Sequence, residues 1–214
     1  KRRLSNTCRI PRSSMGAIRW YSRDMVAVSF DLKKPLAPGT VPVLTLFDGI
    51  LPGEHPFAKL LSKDDREFLK SAIGKRDVKG EHSRLVYLPS GGKLLLFGLG
   101  EKKKYRERKV FLAMRRFVLA ARQEKLPAVH VSAEAFASGR FAKAPDILEA
   151  FAIQATLAAF AFTKYKTDDS GDRGDIHVTF HGSGLSLHKA IERGRIIGEE
   201  INAARALSNT PGGD

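Results

Sequence analysis

The chain has 214 residues, 43% of them hydrophobic and 28% charged, which fits one sizeable globular domain and excludes an intrinsically disordered protein. No apolar run reaches the ~18 residues of a membrane-spanning helix, so we expect no membrane partner. The single cysteine, Cys8, excludes an internal disulfide framework and a cysteine-rich zinc site, and it favours a reducing compartment.

The net charge of +14 comes from two short blocks. Residues 1–23 contain seven basic residues and no acidic one, and residues 101–125 contain ten basic and three acidic residues. The rest of the chain balances, with twenty basic and twenty acidic residues. The excess charge is therefore local, and each block needs its own interpretation.

Residues 1–24 are interpreted as a basic, disordered leader. The arginine and serine content of residues 1–23, which contain no acidic residue, also fits a targeting leader or a basic arm for nucleic acid. A third alternative is sequence upstream of a true start at Met25, because a strand-like run begins directly after it. The composition leaves these alternatives open.

The next part of the chain predicts four strands and one helix. β-branched, aromatic or apolar runs bounded by Pro and Gly predict strands at residues 26–30, 41–47, 84–88 and 93–99. The last of these is almost purely apolar, so we expect it to be buried on both faces. Ser62 offers an N-cap for a helix through about Ile73, where Gly74 provides the stop.

Helices dominate the second half. The predicted elements are helix 106–125, strand 128–132, helix 145–162, the polar acidic loop 167–175, strand 176–181 and helix 187–207. Helix 145–162 is apolar nearly all round and should be sandwiched between other elements. Alternating strands and helices predict an α/β protein, and the short links between the early strands favour a mixed sheet in a three-layer α-β-α arrangement.

Glycines follow a predicted strand at Gly98-Leu99-Gly100, as in dinucleotide-binding turns. The third glycine of that motif is missing because residue 103 is Lys, and Glu124, about twenty positions on, lies within a helix. We interpret the glycines as a tight strand-to-helix turn. The lysines at 102–104 could attract phosphate, but cations oppose the dipole at a helix N-terminus.

Histidine and aspartate patterns give no complete metal site. His177 and His181 share one face of a predicted strand, but no third ligand lies near them in the sequence. The other histidines are isolated: His55, His82, His130 and His188. The aspartates of the acidic loop are Asp168, Asp169, Asp172 and Asp175, and their spacing fails the calcium-loop pattern. We therefore predict no catalytic, cofactor-binding or metal-binding residue in this chain.

The basic helix at 106–125 has two faces. Its apolar face carries Val110, Met114, Phe117, Val118 and Ala121, and its basic stripe carries Arg108, Arg115 and Arg122. The cations could bind phosphates in a sequence-independent way. Because Phe117 belongs to the core face it cannot stack on a base, so a solvated surface is favoured over nucleic-acid binding.

The final stretch carries the most specific pattern, A-R-x-L-x-N-T-P-x-x-D, from Ala204 to Asp214. It resembles the junction in the leucyl (cytosol) aminopeptidases between a non-catalytic N-terminal domain and a C-terminal metallopeptidase domain. Three upstream segments agree in order: residues 93–100 before a charged helix, the helix at 150–162 before Tyr165-Lys166, and the helix at 187–207. The resemblance extends over residues 26–214.

This resemblance implies a macro-domain-like fold at residues 25–183, a connecting helix at 184–207, and the start of an absent catalytic domain at 208–214. The family removes N-terminal residues from peptides with two divalent ions, zinc or manganese, held by residues of two motifs, G-K-G-x-x-x-D-x-G-G and N-T-D-A-E-G-R-L. Neither motif occurs here. The resemblance thus implies a cytoplasmic metallopeptidase, usually a hexamer, whose peptide substrate and metals bind outside this chain.

A second hypothesis comes from a different class of protein. The two basic blocks, together with a macro-like fold, also fit a stand-alone binding module for nucleic acid or an ADP-ribose-like ligand. The fold part of that hypothesis is analogy alone.

Overall fold

The computed structural model describes residues 28–34, 36–73, 79–160 and 174–210. Its strands are β1 (Val28–Lys33), β2 (Val41–Phe47), β3 (Ser83–Tyr87), β4 (Lys93–Gly100), β5 (Ala128–Val131) and β6 (Ile176–His181). Its helices are α1 (Lys63–Ala72), α2 (Glu107–Gln123), α3 (Ala144–Ala159) and α4 (Leu185–Ser208). All ten predicted strands and helices are confirmed, with small shifts at their ends.

The six strands form one mixed sheet in the order β1-β6-β5-β2-β4-β3. Neighbouring strands are parallel except β3 and β4, which form an antiparallel hairpin. The hairpin turns at Gly91, whose φ of +83° favours glycine. The predicted mixed sheet is confirmed, and its antiparallel part is limited to the β3 edge.

Side chains alternate along β4 between two separate cores. Leu95, Phe97 and Leu99 point to the side covered by α2, α3 and α4, where five phenylalanines contact one another. We call this the aromatic face; its rings are Phe97, Phe117, Phe136, Phe151 and Phe180. Leu94 and Leu96 point to the opposite side, the α1 face, which α1 and the 3-10 turn Pro56–Leu60 cover. The protein is therefore a three-layer α-β-α structure, and β4 is buried on both faces as predicted.

Three predicted helix or strand boundaries differ from those in the structure. Helix α3 ends at Ala159 rather than at 162, because Phe160 has extended backbone angles (φ −60°, ψ 128°). Helix α4 begins two residues early, at Leu185, directly after Gly184 with its φ of +132°. Strand β1 continues to Lys33, beyond the predicted end at 30.

Several predicted segments lie outside the described residues. They are the leader at 1–24, the loop residues 167–173 and the tail residues 211–214. Within the part of the chain that the structure describes, no helix combines the length and apolar character needed to cross a bilayer.

Candidate functional site

The glycines at the end of β4 are explained by a close backbone approach. A Cβ on Gly98 would lie 2.3 Å from the carbonyl oxygen of Gly80, and the Gly98 N–H donates to the carbonyl oxygen of His82 at 2.8 Å. Gly100 has a φ of +74°, and its N–H donates to Gly80 at 3.1 Å. Both glycines thus allow segment 80–82 to pair with β4, which accounts for them without a phosphate ligand.

Aromatic packing occupies the carboxyl edge of the central strands. After β2 the chain forms β3 and β4 on one side of β2, and it later crosses to form β5 on the other side. Doubly wound folds bind ligands at such a switch point. Here Phe47 and Tyr105 pack edge to face with ring centroids 5.1 Å apart. The Tyr105 hydroxyl donates to the carbonyl oxygen of Phe136 at 3.2 Å, and burial raises its pKa. This packing weighs against an ADP-ribose-like ligand at this edge.

The predicted histidine pair does not converge on one site. His177 and His181 both lie on the α1 face of β6, but the His177 Nδ1 is 2.8 Å from the hydroxyl of Ser29. His181 lies instead against His130 and Phe57, with ring centroids 5.9 and 5.3 Å away. The two predicted histidines therefore have different neighbours and share no ligand position.

His130, which the sequence patterns left isolated, is the fully buried member of this group. Its Nδ1 accepts a hydrogen bond from the Ala37 N–H at 3.0 Å, so the proton of the neutral ring lies on Nε2 and leaves no lone pair there for a metal. Burial, assisted by nearby His181, lowers the pKa of His130 to about 4. The ring is thus neutral at pH 7 and has a structural role.

No group of three or more His, Cys, Asp or Glu side chains is placed to hold a metal ion within the described ranges. These residues therefore do not fit a resident divalent metal. Of the predicted acidic loop, Asp175 lies in the described part, whereas Asp168, Asp169 and Asp172 lie outside it.

Several cations of α2 contact groups of the same chain. The Lys109 ammonium is 2.6 Å from a carboxylate oxygen of Glu81, whose pKa this bond lowers, and Arg116 lies 3.5 Å from the other oxygen. The Arg115 Nε donates to the side chain of Gln154 at 2.6 Å. Phe117 is fully buried in the aromatic face, as predicted. These contacts weigh against a dedicated nucleic-acid surface on α2.

Side chains of α4 cap the last turn of α3. Asn202, which is 2% exposed, donates to the carbonyl oxygen of Thr156 at 2.9 Å. Arg205 donates to the carbonyl oxygen of Leu157 at 3.4 Å, and its guanidinium lies 4.3 Å from the ring centroid of Phe160. The last four carbonyls of a helix have no partner within it, so these contacts stabilise the end of α3. Arg205 of the A-R-x-L pattern thus has a structural role at the α3–α4 junction.

Two glycines allow α4 to approach α3 closely. A Cβ on Gly194 would lie 2.4 Å from the carbonyl oxygen of Glu149, and one on Gly198 would lie 2.7 Å from the Cβ of Thr156. An ion pair from Arg193 to Glu149, 2.7 Å long, spans the same contact. Helix α4 is therefore packed along α3 as part of the helix layer.

The fold and this junction define the class of the protein: a mixed-sheet α/β domain whose last helix is fixed to its own helix layer. A model of the cytosol aminopeptidase family, N-terminal domain, matches residues 52–169. Because the match includes more than half of the chain, the chain belongs to the cytosol aminopeptidase family and contains its N-terminal domain. A comparison with curated proteins found no match.

Solved structures with a similar fold include a tomato leucine aminopeptidase mutant, 17% identical, with a TM-score of 0.63 over 89% of this chain and 40% of that chain. The bottromycin maturation enzyme BotP in complex with Mn is 16% identical, with a TM-score of 0.51 over 81% of this chain and 32% of that chain. A second structure, titled as the bottromycin maturation enzyme BotP, is also 16% identical, with a TM-score of 0.52 over 80% of this chain and 33% of that chain. At these identities the similarity shows the fold, and the present chain spans about 40% or less of these proteins.

Proposed function

We propose that this chain is the non-catalytic N-terminal part of a longer leucyl-aminopeptidase-like metallopeptidase that removes N-terminal residues from peptides. In this proposal residues 25–183 form the α/β domain, residues 184–207 form the connecting helix, and residues 208–214 begin the catalytic domain. The observation that carries the proposal is the match of residues 52–169 to the N-terminal domain model of the family.

Within that protein we expect this domain to supply support rather than chemistry. Two divalent ions, zinc or manganese, would bind in the catalytic domain and activate a water for peptide hydrolysis. The contribution of this chain is a fixed α4, held by the Gly194 contact and by the caps from Asn202 and Arg205. A fixed connecting helix supports a catalytic domain in one orientation.

The first test measures peptidase activity. Purified residues 1–214 should not hydrolyse a leucyl chromogenic substrate with manganese or zinc added, because neither metal-binding motif of the family occurs in the sequence. The full-length protein, assayed in parallel, should hydrolyse it and lose activity with a chelator. Clear turnover by residues 1–214, or an inactive metal-loaded full-length protein, would contradict the proposal.

Assembly and location belong to the same proposal. We expect the full-length protein to be a cytoplasmic homo-oligomer, usually a hexamer in this family. Light scattering on the purified full-length protein measures the oligomer size. A monomeric full-length protein would remove the oligomer from the proposal without affecting the peptidase assignment.

A further inference from the structure

The outer side of α4 carries a line of exposed apolar side chains. Leu185, Ile196 and Leu207 are 71%, 46% and 77% exposed. They are spaced eleven residues apart, and eleven residues make three helical turns plus about 20°, so all three lie on one side of the helix. From Leu185 to Leu207 this line extends about 33 Å along the helix axis.

This line lies opposite the contact with α3. Gly194 and Gly198 face α3, and each is two positions from Ile196, which corresponds to about 200° around the helix. The inner side of α4 is thus used by the domain itself. On the outer side, Leu185 and Leu207 are left mostly exposed by the described part of the chain.

Charged side chains lie among the apolar ones on the outer side, three basic and three acidic: Lys189, Arg193, Arg195, Glu192, Glu199 and Glu200. Arg195 donates to Glu192 with an Nη2–Oε1 distance of 2.6 Å and also pairs with Glu199. The hydrogen bond from Arg195 lowers the pKa of Glu192. Covering this side would therefore bury a balanced group of charges next to apolar residues, and the desolvation cost is smaller than for a group of charges of one sign.

A second exposed apolar pair lies among charges of one sign. Leu112 and Leu119 on α2 are 47% and 53% exposed, similar to Ile196. They alternate with Arg108, Arg115 and Arg122 along one side of α2. These three charges are all positive, so covering them would bury like charges together, and α2 is the poorer docking surface and a suitable control.

We infer that the outer side of α4, marked by Leu185, Ile196 and Leu207, is the docking surface for the catalytic domain of the longer protein. This inference rests on the proposed function. In the tomato enzyme the region similar to this chain makes up 40% of the polypeptide, so the larger part of that protein lies outside the similar region. A long apolar line on a helix that is rigidly held by α3 gives that remaining part a fixed surface to pack against.

The test compares thiol reactivity in residues 1–214 and in the full-length protein. Single cysteines are introduced as Leu185→Cys, Ile196→Cys and Leu207→Cys, with Leu112→Cys and Leu119→Cys as matched controls, in a background that contains Cys8→Ser and no other cysteine. Alkylation of the α4 thiols should be slower in the full-length protein by on the order of tenfold or more, because a packed side chain is reached only during transient opening. The α2 thiols should react at similar rates in both proteins.

Equal α4 rates in both proteins, or protection of the α2 thiols instead, would overturn the inference. Protection that appears in residues 1–214 as protein concentration rises would assign the surface to a second copy and also overturn it. The alkylation rates can be measured whether or not the full-length protein hydrolyses peptides. A full-length protein that hydrolyses leucyl substrates but leaves α4 reactive contradicts the docking surface alone, whereas an inactive protein with protected α4 contradicts the proposed function alone.

Discussion

The two faces of the sheet are stabilised by different means. On the aromatic face, five phenylalanine rings contact one another at centroid distances between 5.0 and 6.1 Å, beneath α2, α3 and α4. On the α1 face, aliphatic residues such as Leu44 and Leu96 pack under α1, and fully buried polar side chains, His130 and Thr179, lie at the β5–β6 end.

This difference separates two kinds of sensitivity. The aromatic rings do not titrate, so the stability of their face depends on filled volume. The α1 face contains a buried imidazole, so part of its stability depends on keeping that ring neutral. We therefore expect a cavity to damage the first face most and acid to damage the second.

The largest expected effect is at Phe151, which contacts Phe117, Phe136 and Phe180. Phe151→Ala should lower the free energy of unfolding by about 3–5 kcal/mol, because it removes buried contacts and leaves a cavity. Urea unfolding followed by circular dichroism measures the change. Leu112→Ala, at an exposed position on α2, should change it by less than about 0.5 kcal/mol. Similar losses of unfolding free energy in the two variants would contradict the expectation that the buried ring stabilises the fold far more than the exposed leucine.

Acid should act through the α1 face. The pKa of His130 is lowered to about 4, so between pH 6.5 and pH 4 the unfolded chain binds a proton at this residue that the folded chain does not. The free energy of unfolding should therefore fall as the pH falls through this range, by roughly 2–3 kcal/mol from this group. Urea midpoints at a series of pH values measure the fall.

Substitution identifies the residue responsible. His130→Gln should reduce the pH dependence between pH 6.5 and pH 4, since this titrating ring is gone. Part of the slope should remain, because burial also lowers the pKa of His55 to about 4. His188→Gln, at an exposed position of α4, serves as the control and should keep the slope. If His130→Gln retains the full slope, the buried imidazole of His130 is not a source of the acid sensitivity. The expectation that acid destabilises the α1 face through this ring would then be wrong.

The smallest expected effect concerns the start of α1. The Ser62 hydroxyl accepts a hydrogen bond from the Asp65 N–H at 3.2 Å, and Ser62→Ala should cost about 1 kcal/mol of unfolding free energy. Ser71→Ala is the matched control, because the Ser71 hydroxyl donates within the same helix to the carbonyl oxygen of Glu67 and its loss should be nearly neutral. Equal losses would mean that the α1 face does not depend on this cap.

Local patterns predicted the elements well where the signal lies in neighbouring residues. The Ser62 N-cap, the apolar β4 run and the helical spacing of Val110 and Phe117 correspond to observed elements. The predicted end of α3 was three residues too late, because the apolar pattern continues past Ala159. The last turn of α3 is capped by side chains of α4, Asn202 and Arg205, which lie more than forty positions away in the chain.

The histidines illustrate the same limit. The period of two in a strand correctly placed His177 and His181 on one face, but it could not reveal that His130 is the ring next to His181. That neighbour depends on the pairing of β5 with β6, in which His130 lies opposite Thr179. Strand order depends on contacts distant in sequence, so no local spacing contains it.

By itself, the sequence determined the α/β class, the ten elements, the excess basic charge and the resemblance to the cytosol aminopeptidases, because periodicity, caps and motifs are written in adjacent residues. Only the tertiary structure decided which side of α4 is packed against α3 and which is left exposed. That choice follows from Gly194 and Gly198, whose missing side chains matter only when a second helix comes within contact distance.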